Sequence, residues 1–174
     1  MEALLGIVAI AVVVYALLGI RSVPPMHAGV VERLGKYHRT ARPGLTWITP
    51  FVDSVRRMDV REQVIAFPGV PVVTTDDQWV TVEVVVYFKV TDPVRATYEI
   101  ANHVQAVEHT TIYRLRAVLG EMTLEQVRTS GRELEARLAA EIDEYTAPWG
   151  VKILRAEIKS IAPGKLEGAS GARW

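Results

Sequence analysis

An uncharged run near the N-terminus, Ala3 to Ile20 (ALLGIVAIAVVVYALLGI), constrains this chain more than anything that follows it. Its eighteen residues include no charge, no amide and no proline. As a helix rising 1.5 Å per residue it measures about 27 Å, close to the hydrocarbon thickness of a bilayer. A cleaved secretory signal is the competing reading. Such a signal wants a basic n-region, and here only Met1 and Glu2 precede the run; the bulky end at Leu17-Leu18-Gly19-Ile20 also offers no clear small-x-small cleavage site. The expectation is an uncleaved transmembrane anchor helix within residues 1–22, with Leu5, Ile10, Val13 and Leu17 among its lipid contacts. Arg21, Arg33, Lys36, Arg39 and Arg42 follow the run and no Lys or Arg precedes it. The positive-inside rule then predicts a single pass through the cell membrane with the body on the cytoplasmic side.

The rest of the 174 residues suffices for one ordinary domain with its own core. Twenty basic and twenty acidic residues cancel, so no whole-chain field favours nucleic acid, and no aromatic-basic motif reads bases. The absence of cysteine excludes disulfides, thiolate metal sites, a cysteine nucleophile and S-palmitoylation.

Beyond the apolar run, Val23-Pro24-Pro25 predicts a stiff extended exit, because proline fixes its own φ and pushes the preceding residue out of the helical region. Gly29 to Gly35 reads as a strand, followed by a basic loop to Arg42. Pro43-Gly-Leu-Thr-Trp-Ile-Thr-Pro-Phe51 carries two readings: a short core strand, or a loop that dips Trp47, Ile48 and Phe51 into the membrane interface, where tryptophan is favoured. Val55–Val60, Gln63–Phe67 and Pro71–Thr75 are strand candidates separated by turn residues such as Pro68-Gly69 and Thr75-Asp76-Asp77. Trp79 to Thr91 is the clearest strand, with Val80, Val82, Val84, Val86, Phe88 and Val90 at every even position.

After Asp92-Pro93 the period changes to about 3.6. Asn102 with Gln105 resembles a capping signature for a helix that Gly120 stops, and Thr123-x-x-Gln126 and Ser130-x-x-Glu133 read as capping boxes. The last helix puts Leu134, Leu138, Ile142 and Tyr145 on one face and a charged face opposite, and a final strand is expected from Val151 to Ile161. The fold class is therefore α+β, with helices packed on one face of a mostly antiparallel, twisted sheet. Residues 163–174 (PGKLEGASGARW) are small, Gly-rich and non-periodic, and read as a flexible tail or an appended remnant.

A search for chemistry returns little. The histidines at 27, 38, 103 and 109 include no i, i+4 pair, and no G-x-S-x-G or phosphate-cradling glycine loop is present. Asp76-Asp77 is the only carboxylate pair worth weighing as a hydrolytic site, and adjacent carboxylates at a strand entry more often form a turn. The expectation is a non-enzyme with no cofactor and no metal.

Six stretches, taken in order, resemble one family: Gly29–Tyr37, Pro43–Phe51, Val72–Asp76, Val86–Pro93, Leu115–Leu124 and Trp149–Lys159. Together they are similar to the stomatin, prohibitin and flotillin (SPFH) superfamily, closest to its bacterial stomatin-like branch, over roughly residues 23–162. The resemblance implies an SPFH domain over residues 23–162 behind the anchor. It also implies a non-enzymatic membrane scaffold that assembles into homo-oligomers, delimits membrane microdomains and regulates neighbouring membrane proteins such as proteases or channels. Finally, it implies that the Pro43–Phe51 stretch lies against the bilayer, adding Leu45, Trp47, Ile48 and Phe51 to the membrane contacts. The expected partners are thus the lipid bilayer, further copies of the chain and a membrane protease or another membrane protein.

One departure from the family pattern concerns the end. The heptad helix expected after Pro163 is not present in the twelve residues from Pro163 onward, which puts assembly of this chain in question. Lateral packing then falls to the charged helix face, with Arg137, Glu141 and Glu144 as candidate contacts. The alternative is a monomeric, membrane-tethered module that binds a single membrane partner.

Overall fold

A computed structural model describes residues 1–163, leaving aside the side chains of 2, 3 and 11–13. The expected tail beyond Pro163 lies outside the described residues. The chain divides into two compact units, Met1–Arg61 and the part from Glu62 onward.

The first unit opens with α1 (Glu2–Leu18). The helix is shorter than the apolar run predicts, because Gly19 ends it and Ile20 already belongs to β1 (Ile20–Val23). The pairing of Ile20–Val23 with Gly44–Trp47 supplies the reason, since it holds the backbone from Ile20 onward extended, and Pro24 keeps Val23 out of the helical region. Among the described residues no helix is long and apolar enough to cross a membrane, so the expected spanning helix is corrected to a 17-residue apolar one.

Strand β1 pairs antiparallel with β4 (Gly44–Trp47), Ile20 opposite Trp47. A second sheet places β2 (His27–Arg33) between β3 (Lys36–Ala41) and β5 (Asp53–Asp59). The basic stretch expected as a loop is thus largely the strand β3, exposed along all but its last residue. Such a polar edge strand has no apolar periodicity to announce it. Val23, Val31, Ala41 and Ile48 form the small core, with Val55 against it.

The second unit is a three-stranded antiparallel sheet with β7 (Trp79–Val90) between β6 (Glu62–Val73) and β8 (Val151–Pro163). The even-numbered apolar residues of β7 are at most 3% exposed. They pack against α3 (His103–Gly120), α4 (Leu124–Thr129) and α5 (Gly131–Thr146) through Val107, Leu115, Leu119, Val127, Leu134, Leu138 and Ile142. A short helix α2 (Pro93–Tyr98) is capped by Asp92. The architecture is α+β with antiparallel sheets.

Three local expectations change. Pro68-Gly69 is not a turn but a bulge inside a single strand β6, where the register with β7 shifts between Pro68 and Val70 and Gly69 has φ 121°. The sequence of this edge strand permits it: proline has no N–H to offer a ladder, and glycine accepts the backbone that a bulge demands. Thr123 and Gln126 form the full capping box, whereas the Ser130 side chain caps nothing. Ser130 also closes α4, and its backbone is not extended as an N-cap requires. Tyr145 is half exposed rather than core, because its ring stacks under the Arg114 guanidinium, 3.5 Å from the ring centre.

Candidate membrane-facing surface

The exposed apolar residues of the first unit define its most unusual surface. Along α1, Leu4, Leu5, Ile7, Ile10 and Leu17 are each more than 60% exposed. Single exposed apolar residues need no explanation, but a whole helix of them does. Leu5, Ile10 and Leu17 are thus outward-facing as expected; the Val13 side chain lies outside those described.

The junction of α1 with the strands is close-fitting. A Cβ on Gly19 would run into the Trp47 indole nitrogen and sit 2.6 Å from the Ile48 carbonyl oxygen. The Ile48 N–H donates to the Gly19 carbonyl at 2.8 Å, and the Trp47 indole N–H donates to the Ala16 carbonyl at 3.2 Å. That carbonyl is one of the last four of the helix, which have no partner within it. The Arg39 guanidinium in turn donates to the Trp47 carbonyl. Trp47 is therefore fixed at both ends, its ring half exposed at the base of the apolar helix.

The rest of Pro43–Phe51 divides by residue. Leu45 and Phe51 are 82% and 93% exposed, whereas Ile48 is only 6% exposed and belongs to the small core. The expected membrane contact at Ile48 is corrected to a core residue. The two sequence readings of this stretch, strand and exposed loop, each describe part of it. Residues 44–47 are strand, while alternation and the turn beyond leave Leu45, Trp47 and Phe51 outward.

Phe51 is held in place by polar chemistry. Its φ is 67°, a left-handed value that bulky residues rarely adopt. The turn that imposes it is tied by Asp53. The Asp53 carboxylate accepts the Thr49 N–H at 2.9 Å and two bonds from the Arg33 guanidinium at 2.8 and 3.1 Å. These bonds hold the Asp53 carboxyl far below the usual carboxylate range, with the Arg33 pairing the largest cause. The Leu34 N–H donates to the Val52 carbonyl at 3.1 Å, which sets the β2–β3 turn beside this one. Leu34, 80% exposed with φ 51°, thereby joins Phe51 and Val52 at the same end of the sheet. Sequence reasoning passed over Leu34; its one signal was a large apolar residue at the apex of Leu34-Gly35, where a polar residue is the norm.

The first unit is also basic. It holds eight Lys and Arg against four Asp and Glu, a net of +4, while the second holds twelve against sixteen, a net of −4. The neutral whole-chain charge conceals this division.

In the second unit, Arg137 pairs with Glu121 and Glu141 with Arg114 at 3.6 Å, while Glu144 is exposed. The Asp76 carboxylate accepts from the Thr74 hydroxyl and from the Leu124 N–H at the start of α4, and Asp77 has φ 55°. The pair thus builds a turn and braces a helix end. Among the described residues no group of three or more His, Cys, Asp or Glu side chains is placed to hold a metal.

Comparison with known proteins follows the same outline. The family model described as SPFH domain / Band 7 family matches residues 21–172. An uncharacterised protein of Mycobacterium tuberculosis is 44% identical over 92% of this chain and 44% of its own length. An uncharacterised protein of Methanothermobacter thermautotrophicus is 36% identical over 90% of this chain and 49% of its own. A stomatin homolog of Pyrococcus horikoshii is 32% identical over 90% and 59% respectively. The chain spans about half the length of these relatives.

Proposed function

This chain belongs to the SPFH domain / Band 7 family, and from that premise we propose that it is a non-enzymatic, membrane-attached scaffold. In this reading copies of the chain assemble side by side, organise a patch of membrane and regulate neighbouring membrane proteins such as proteases or channels. The observation that carries it is the apolar helix α1 with its described large side chains outward, locked through Gly19 and Trp47 onto the strands whose turn presents Phe51.

Burying the exposed side chains of α1 in hydrocarbon contributes on the order of 10 kcal/mol. The helix supplies about 25 Å of apolar length, short of the roughly 30 Å hydrocarbon core, so it attaches the body to the membrane, with the basic flank after α1 turned toward the cytoplasmic leaflet. Trp47, Leu45 and Phe51 then sit at the interface. Confinement to one plane raises the effective concentration of copies, so weak lateral contacts suffice for assembly.

The test is the mass of the detergent-solubilised chain by light scattering, with the micelle subtracted. A discrete large multimer supports the scaffold; a monomer sinks it for this chain. A second reading, a monomeric membrane-tethered module for one membrane partner, is favoured by the pairing of Arg137 with Glu121 and of Glu141 with Arg114, which leaves the exposed Glu144 as the member of the expected lateral contact without an ion pair among the described residues.

A further inference from the structure

Eight cations lie between Arg21 and Arg61, and three of them are matched by carboxylates. Arg33 pairs with Asp53 at 2.8 Å, Arg56 with Glu32 at 2.9 Å, and Arg61 with Asp59. Arg21, Lys36, Arg39, Arg42 and Arg57 are left without a carboxylate partner among the described residues. Two of the five, Arg21 and Arg57, line one cavity of about 280 Å³ within the first unit. Ser22 and Ser54 line it as well, and Val23, Ile48 and Val55 bring apolar surface.

One carboxylate, Asp53, also lines this cavity, and its charge is already matched by the two bonds from Arg33. Among the described residues the Arg57 guanidinium makes one long bond, 3.4 Å, to the Ser22 carbonyl. The cavity is therefore lined by two arginines in excess of its carboxylate, residues whose guanidinium donors suit a compact oxyanion. Its position narrows the choice of anion. Arg21 follows α1 by three residues, and Ile48 is joined to Gly19 at the base of that helix. An anion there carries an apolar tail most easily, because exposed hydrocarbon surface lies beside the charged one.

We propose that this cavity binds the phosphodiester of an anionic glycerophospholipid, with Arg21 and Arg57 as the paired ligands. The proposal deepens the membrane-attached reading and rests on it. A zwitterionic lipid has the same phosphate, but its ammonium would meet the two unmatched arginines, Arg21 and Arg57. Lipid selectivity follows from that difference in charge.

The experiment is calorimetric titration of the full chain in a neutral detergent with dihexanoyl-phosphatidylglycerol, dihexanoyl-phosphatidylcholine and inorganic phosphate. The phosphatidylglycerol is expected to bind at least tenfold more tightly than either of the others. The double variant R21Q/R57Q is expected to lose at least tenfold, whereas K36Q/R42Q, which removes the same charge elsewhere, loses less than threefold. R21Q alone serves as the second variant, since Arg57 also contacts the Ser22 carbonyl, and should lose at least threefold. Equal losses in the two double variants would reduce the effect to general attraction and overturn the assignment. Inorganic phosphate binding as tightly as the lipid would overturn the lipid source. Membrane attachment is read separately by alkaline extraction of the full chain from vesicles. A chain that resists extraction but shows no lipid preference refutes the cavity assignment alone, and one that is extracted yet binds the anionic lipid refutes the anchored scaffold alone.

Discussion

The indole nitrogen of Trp47 donates to the main-chain carbonyl of Ala16 at 3.2 Å, so a residue of β4 closes the C-terminal end of a helix thirty-one positions earlier. One side chain thereby sets the angle at which the apolar helix leaves the sheet. On the proposed membrane-attached reading, that bond would sit where the ring has one apolar and one wet side, the environment that suits tryptophan. In vesicles of brominated lipid, wild-type fluorescence should be quenched more strongly by shallow than by deep bromines, and W47F should lose most of that quenching. Equal quenching in W47F would place Trp47 away from the interface.

The same corner leaves no room at Gly19 for a side chain even as small as alanine's. Its backbone, φ −76°, is ordinary, so the cost is purely steric. Gly19→Ala should destabilise the first unit by about 1–3 kcal/mol, the usual range for overpacking a filled site. Combining it with W47A should relieve part of that loss but not all, because the Ile48 carbonyl stays 2.6 Å from the added carbon. Urea unfolding of the detergent-solubilised chain measures both; an unchanged midpoint in Gly19→Ala would contradict the close approach.

Acid should release the Phe51 turn. The Asp53 carboxyl titrates below its unfolded value because Arg33 and the Thr49 N–H bind its charged form. Its contribution is therefore complete above the unfolded pKa of about 3.9 and is lost as pH falls through the lower, folded value. Asp59, lowered to about 2 by Arg61, acts in the same direction. Thermal stability of the first unit should fall steeply below about pH 4, and D53N should be less stable at neutral pH with a flatter acid slope. A D53N profile parallel to wild type would remove Asp53 from this account.

Assembly, if it uses the charged face of α5, should depend on Glu144 more than on its neighbours. Arg137 and Glu141 are engaged by Glu121 and Arg114 within the chain. Glu144→Arg is therefore expected to lower the mass of a discrete multimer in light scattering, while the swap R137E/E121R should leave it unchanged. The opposite ranking would move the lateral contact to another surface.

Packing of the second unit is open to a simpler check. Leu138 is fully buried among the sheet-facing residues, and Leu138→Ala should cost about 2–5 kcal/mol. A loss under about 1 kcal/mol, read from chemical denaturation, would mean that the site collapses around the gap.

Much of the fold was legible in the chain because its signals are local. The alternation of β7 reports burial directly, and all six even positions it named are in the core. Asn102 and Thr123 announced their helices because a cap needs only an oxygen and a backbone N–H three residues on. Ser130 failed by the same logic, since one residue ending α4 and opening α5 is not held in cap geometry. At the surface, Leu45, Trp47 and Phe51 face outward, whereas Ile48, expected beside Trp47 and Phe51, is buried. Nothing within Trp47-Ile48-Thr49 distinguishes the two outcomes.

The α+β order, the apolar helix, the family and the lack of thiol chemistry could all be read from the chain, because each depends on residue type and on spacing of a few positions. Tertiary structure alone decided where α1 ends, that Ile48 is core, that Leu34 stands beside Phe51, and that Arg33 is spent on Asp53 while Arg21 and Arg57 remain unmatched around one cavity. These are pairings between residues seventeen or more positions apart, or the burial of one residue just past a short strand. Only the register of β2 against β5 and of β1 against β4 brings those atoms within reach.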